Sequence, residues 1–227
     1  MPNSDGVIDD PDREVVSTRR LEAFTDGVFA IAATILVLDL TAEGLGAIRS
    51  EGDMWAGLAS TLPTLLSVAV SFLLLGLLWI IHLRQFEFVD RVDSNLLWLN
   101  LLRLLGVVVV PFSTSVNNEY SDFLAGRLVL PVNILVIMVF GTWQWFYATS
   151  ARRGLVGTLS ARAVHNTRVN SATALVLSVV VVVLATAVGS FAFILFFASP
   201  LIEAVQRRMG VLWAADAPRR EGDASAS

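Results

Sequence analysis

The sequence predicts an all-α, polytopic integral membrane protein, and three observations carry that prediction. Of 227 residues, 55% are hydrophobic and only 16% are charged, with a mean hydropathy of +0.68. A soluble domain has about 45–50% apolar and about 25% charged residues. The apolar residues also come in long runs, and a helix needs about 20 of them to cross a hydrocarbon core of roughly 30 Å. The chain therefore holds about six spans, with no room for a soluble catalytic domain of roughly 100–150 residues. Disordered, collagen-like and nucleic-acid-binding readings are excluded by the same composition. There is no cysteine, so disulfides, thiolate metal sites and cysteine nucleophiles are excluded too.

The elements follow in order. Residues 1–18 read as a disordered acidic tail, with Asp5, Asp9, Asp10, Asp12 and Glu14 and no positive region of the kind that opens a signal peptide. The apolar stretch after Arg20 is thus a first membrane helix, spanning about 21–40. The second span covers about 58–83, with Pro63 in its first turns, where a missing N–H does least harm. The third covers about 96–112 and the fourth about 128–147. From Ser171 to Val205 the chain is apolar for longer than one crossing needs. A split at Gly189-Ser190 gives spans of 171–188 and 190–206 joined as a hairpin. One long tilted helix is the alternative, with five spans. Residues 19–209 are then one six-helix membrane domain, and residues 210–227 a disordered C-terminal tail.

Charge orients the bundle. All 16 basic residues are arginine, against 20 acidic residues, for a net charge of −4. With the N-terminus inside, the inner segments hold Arg13, Arg19, Arg20, Arg84, Arg91, Arg152, Arg153, Arg162, Arg168, Arg207, Arg208, Arg219 and Arg220. The outer loops hold only Arg49 and Arg127. That asymmetry obeys the positive-inside rule and predicts both termini in the cytoplasm. The arginines between Ser150 and Arg168 read as topology determinants facing anionic headgroups.

Ionisable residues inside spans mark function or a satisfied network. Span 1 carries Arg20, Glu22, Thr25, Asp26, Thr34 and Asp39. At about 1.5 Å per residue, Asp26 lies roughly 9 Å beyond Arg20, and Asn100 roughly 10 Å beyond Asp93. His82 ends span 2, one turn after Trp79. Asp26, His82, Asn100 and Arg103 therefore share a layer near the inner side. Such a layer either fixes helix packing or relays protons. No second histidine lies close to His82, which favours packing and argues against a metal site. Ile31, Ile35 and Leu38 recur at i, i+4, i+7 and share one face of span 1, with Thr34 beside them. From periodicity alone this stripe is an ordinary lipid-facing or core face. Asp39 closes the outer end. In an oligomer it would form a carboxylate ring that attracts cations; alone it is a helix-end residue in the headgroup layer.

The run Arg20-x-x-x-Phe24-Thr25-Asp26-Gly27-x-x-Ala30-Ile31-x-x-Thr34-Ile35-Leu36-x-Leu38 resembles the first-helix signature of the transmembrane protein 175 family. These are lysosomal potassium channels in animals, with shorter bacterial relatives. The family pattern has Phe-Ser-Asp where this chain has Phe-Thr-Asp, which keeps the hydroxyl. The resemblance continues through Ser71-Phe72, Trp79-x-x-His82-x-x-x-Phe86, Asn100 and Pro111-Phe112, and is mainly hydropathic after that.

The resemblance implies a single six-helix repeat that forms a homotetramer in a bacterial plasma membrane. It implies a potassium-preferring pore lined by the first helix of each subunit. Family members have no Thr-Val-Gly-Tyr-Gly carbonyl filter, and this sequence contains none. Apolar constrictions take its place, at Ile31, Ile35 and Leu38 by position, with Thr34 at a site associated with ion preference. Arg20, Phe24, Thr25, Asp26, Trp79, His82 and Asn100 correspond to an inner network holding helices and subunits together. Asp39 stands at the outer mouth. No cofactor is implied beyond the permeant potassium ion, and no nucleic acid. The competing classes are a proton-permeable channel or proton-coupled carrier using Asp26 and His82, and a structural membrane protein. An enzyme is disfavoured, since Ser113-Thr114 beside Pro111 read as a span end and no nucleophile–base pair has suitable spacing.

Overall fold

The computed structural model describes residues 17–150, 152–157 and 159–208. Among these, five helical stretches are long and apolar enough to cross a membrane: Thr18–Asp39, Glu51–Phe86, Ser94–Glu119, Leu124–Ala148 and Ala161–Val188. The acidic residues expected to make up the N-terminal tail, and the C-terminal tail over 210–227, lie outside the described residues. Thr18, expected in the tail, already opens the first helix.

Helix α1 (Thr18–Ile35) tightens into a 3-10 turn at Leu36–Asp39. A short helix α2 (Glu51–Ser60) occupies what reads as an outer loop. It is capped by Ser50, whose hydroxyl accepts the Asp53 N–H at 3.1 Å. It leads directly into α3 (Leu62–Phe86), with Pro63 in the first turn. Helix α4 (Ser94–Glu119) starts at the Asp93 cap, whose carboxylate accepts the Leu96 N–H at 2.8 Å. It does not end near Phe112, where the third span was expected to end, but runs on to Glu119. Proline removes one backbone donor, yet Val110, Pro111, Ser113, Thr114 and Asn117 are all buried against neighbouring helices. Packing over two further turns outweighs that local cost. Ser113 and Thr114 are therefore buried mid-helix residues, with hydroxyls donating to Val109 O and Val110 O at 3.0 Å each.

Helix α5 (Leu124–Ala148) follows, then α6 (Ala161–Val188). Helix α6 begins ten residues before the apolar stretch does, because its first turns are polar. Ser160 caps it by accepting the Ala163 N–H at 3.2 Å, and Arg168 bonds both Thr149 Oγ1 and Thr149 O at 2.8 Å. Helix α6 ends at Gly189, with φ 60° and ψ −139°, a backbone region open essentially to glycine. The single helix expected over 190–206 is instead three short pieces: a 3-10 turn (Gly189–Phe193), α7 (Ile194–Phe197) and α8 (Ser199–Arg208). They nonetheless run back along α6, since Gln206 Nε2 donates to Thr173 Oγ1 at 2.7 Å.

Helix α4 is the hub. It packs on α5 and on the α1–α3 pair, and α6 packs on the far side of α5. The main core draws Phe29, Leu36, Leu75, Val107, Ile134, Val181 and Phe193 from all of these. Inside a bilayer, apolar contact between helices gains nothing over lipid contact, so close packing and hydrogen bonds must fix the arrangement. One end of the bundle collects Arg19, Arg20, Arg84, Arg91, Arg152, Arg153, Arg162 and Arg168. That end is tied by a Val89–Val156 bridge and by Tyr147 Oη donating to Asp93 Oδ2 at 2.7 Å.

Candidate functional site on the first helix

Helix α1 has two unlike faces. Leu21, Thr25, Phe29 and Ala32 are buried, followed by Leu36 in the 3-10 turn. Their spacing of three and four residues keeps them on one side. The other side carries Phe24, Asp26, Gly27, Ala30, Ile31, Thr34, Ile35 and Leu38, all of them exposed among the described residues. Ile31 is 61% exposed, Ile35 43% and Leu38 69%. The three apolar positions expected to line a pore thus share the uncovered face. The Thr34 hydroxyl is turned back onto its own helix, donating to Ile31 O at 2.8 Å.

The buried face ends in a polar network. Asn100 Nδ2 on α4 donates to Thr25 Oγ1 at 3.0 Å, and Gln144 Nε2 on α5 donates to Asn100 Oδ1 at 3.1 Å. Arg103 Nη1 donates to Gln85 Oε1 at 3.1 Å and to Gln144 Oε1 at 3.5 Å, and Nη2 donates to Leu78 O at 3.3 Å. Arg103 Nη1 also lies 3.3 Å from His82 Nδ1. A guanidinium can only donate, so Nδ1 must accept, and His82 is the neutral tautomer with its proton on Nε2. The His82 ring sits between Phe86 and Phe29, with centroids 4.2 Å and 6.3 Å away. Among the described residues no carboxylate pairs with Arg103; its charge is met by neutral oxygens and one imidazole nitrogen. Gly141 on α5 makes the room. A Cβ there would come within 3.2 Å of the guanidinium carbon.

The expected polar layer therefore divides. Thr25, Asn100, Arg103 and His82 belong to the buried network. Asp26, one residue from Thr25, faces outward, where Trp79 Nε1 donates to its Oδ1 at 2.9 Å. Arg20 and Phe24 are exposed on the first two turns and join neither set within one chain. Asp39 is half-buried. Its carboxylate accepts from Ser115 Oγ and from Asn118 Nδ2, both on α4, the latter at 3.5 Å. A second buried contact joins Thr114 Oγ1 to Ser71 Oγ at 2.8 Å, linking α4 to α3.

Sequence reasoning missed Gln85 and Gln144. Gln85 lies three residues after His82, hence on the same helix face. Gln144 is an uncharged amide surrounded by aromatic residues at a span end, and it drew no notice beside them. Among the described residues, no group of three or more His, Cys, Asp or Glu could hold a metal ion.

The chain is also similar to proteins of known kind. The sequence pattern of a family described as endosomal/lysosomal potassium channel TMEM175 matches residues 20–111. A potassium channel of Streptomyces collinus is 34% identical over 161 residues, covering 67% of this chain and 75% of that protein. The human endosomal/lysosomal proton channel TMEM175 is 36% identical over 113 residues, covering 48% of this chain but only 22% of the human protein. The crystal structure of a lysosomal potassium-selective channel TMEM175 homolog from Chamaesiphon minutus superposes with a TM-score of 0.66 at 26% identity. It covers 83% of this chain and 97% of that one.

Proposed function

The chain belongs to the TMEM175 family, a family of channels and not of enzymes, and from that premise we propose that it is a potassium-preferring cation channel. In this reading copies of the chain, four by the family resemblance, surround a pore lined by the uncovered face of α1. One observation carries the proposal. Ile31, Ile35 and Leu38 share an uncovered face of a membrane helix whose exposed arc also carries a carboxylate, Asp26, about 140° round from Ile31. A charged group facing lipid costs up to about 2.5–3.5 kcal/mol, the figure for the bilayer centre on insertion scales. Such a face is better covered by other copies and by water than by acyl chains. The chain is multi-pass, its α8 returning along α6 as a broken sixth span. The arginine-rich end faces the cytoplasm of a bacterium across its plasma membrane, which puts both termini inside.

An ion entering from outside passes Asp39, whose neutral partners leave its charge in place, and then apolar rings at Leu38, Ile35 and Ile31. Where the rings are narrow the path dewets and is closed. Where they part, a potassium ion sheds water more readily than sodium and passes without ligands, so selectivity is modest. Thr34, between the Ile31 and Leu38 levels, tunes that preference. Thr25, Asn100 and His82 hold the helix in rotation, while Arg20, Phe24, Asp26 and Trp79 meet the neighbouring subunit. Reconstituted protein should carry potassium into liposomes, and Ile31→Asn should raise that flux by wetting the constriction. Unchanged flux in both Ile31→Asn and Leu38→Asn would refute the assignment.

The alternative is proton permeation, favoured by what the human relative is called. Asp26 is then the exchanging group. His82 contributes less, because it accepts a bond from Arg103 and does not touch Asp26. Potassium gradients that collapse without obligate proton countermovement separate the two.

A further inference from the structure

Resting on the reading that the uncovered face of α1 lines the ion path, we propose that Asp39, Ser115 and Asn118 form a latch through which α4 sets the rotation of Leu38. Asp39 then has a second task beside carrying charge: it is a positioning residue for the last apolar ring. The argument starts from the winding of the chain. Helix α1 is α-helical to Ile35 and 3-10 from Leu36 to Asp39. Three residues turn through roughly 300° in an α-helix and roughly 360° in a 3-10 helix, and rise by roughly 4.5 Å and 6 Å respectively. The change of winding therefore swings Leu38 by roughly 60° relative to Ile35 and moves it roughly 1.5 Å further along the axis. Ile35 and Leu38 end up stacked on one line, where continued α winding would offset them.

A 3-10 run has poorer hydrogen-bond geometry than an α-helix and is short for that reason. Here both of its ends are held. Leu36 is buried at 2% exposure, and Leu40 N–H closes the turn on Val37 O at 2.9 Å. Asp39 is fixed from outside α1, by a hydroxyl and an amide three residues apart on α4. Between these anchors Val37 and Leu38 stay exposed, at 56% and 69%. Loss of the latch lets the turn relax toward α winding, which rotates Leu38 and leaves Ile31 where it is.

The chain has no cysteine, so Leu38→Cys and Ile31→Cys each provide a single reactive thiol in the full-length protein. Reconstituted channels would be treated with a charged, water-soluble thiosulfonate while potassium flux is followed. Adding Ser115→Ala or Asn118→Ala, neither of which changes charge, should shift the rate of block at Leu38→Cys by about threefold, the scale of one hydrogen bond within a membrane bundle. The rate at Ile31→Cys should stay unchanged, and Ser115→Thr, which keeps the hydroxyl, should restore the original rate at Leu38→Cys. Block at Leu38→Cys that ignores both second substitutions overturns the latch and leaves the pore reading standing. Rates that move together at both thiols mean general loosening and also overturn it. Reagent that blocks at neither thiol overturns the pore reading itself, and the latch with it.

Discussion

Thr25 and Asp26 are neighbours in the chain and face opposite worlds. Thr25 is fully buried and accepts a bond from Asn100. Asp26 is exposed and accepts a bond from Trp79. A rotation of about 100° separates adjacent helical residues, so whatever fixes Thr25 also aims Asp26 and, five residues on, Ile31. In a soluble protein the apolar face would be pulled inward by the hydrophobic effect. In a bilayer both faces have an apolar neighbour, and that pull is missing. The buried hydrogen bonds therefore choose which face of α1 is turned in. The face left over, apolar as it is, takes its orientation from a network it does not touch.

This contrast predicts that the two faces respond differently to substitution. Changes on the buried side alter stability; changes on the open side alter conduction. The largest effect belongs to Arg103→Leu, which leaves Gln85, Gln144, His82 and Leu78 O without their donor. A loss of about 3 kcal/mol follows from unpaired buried polar groups, read as a lower thermal midpoint in detergent by tryptophan fluorescence. Arg103→Lys should recover only part of it, since one ammonium cannot reach oxygens on both sides as the planar fork does. Next is Gly141→Val, which pushes methyl groups into the guanidinium already 3.2 Å from an added Cβ. Overpacking of this kind costs about 2 kcal/mol. Asn100→Leu, which breaks the link to Thr25, should cost about 1 kcal/mol. An Asn100→Leu protein with wild-type stability and wild-type flux would break the contrast, for the network would then not aim α1. The smallest change in stability is expected at Ile31→Asn, within about 0.5 kcal/mol as for other uncovered positions, alongside a raised potassium flux.

The sequence made the main helices legible because each is a long apolar run, and a bilayer admits little else. It also brought Asn100, His82 and Arg103 to one depth, since rise per residue is fixed. It did not show that Asp26 and His82 part company. Depth follows from counting, but azimuth depends on which helix lies on which side, and no pattern of residues in one helix reveals its neighbours. The sequence ends the third span at about 112, yet buried contacts from Val110 to Asn117 carry α4 past it. The same limit applies to the return over Gly189–Arg208. Its hydropathy suits one helix, while the structure divides it into three short pieces. The latch on Asp39 was invisible for a different reason: Ser115 and Asn118 are ordinary polar residues until α4 is known to continue that far.

The central claim is that the open face of α1, and not the adjacent buried one, faces the ion path. Ile31 and Ala32 test it side by side, being 61% and 2% exposed. Ile31→Cys and Ala32→Cys, each the single thiol in reconstituted protein, would be exposed to a charged thiol reagent during potassium flux. Rapid block at Ile31→Cys with none at Ala32→Cys is the predicted result. Block at Ala32→Cys alone, or at neither position while flux persists, would contradict the account.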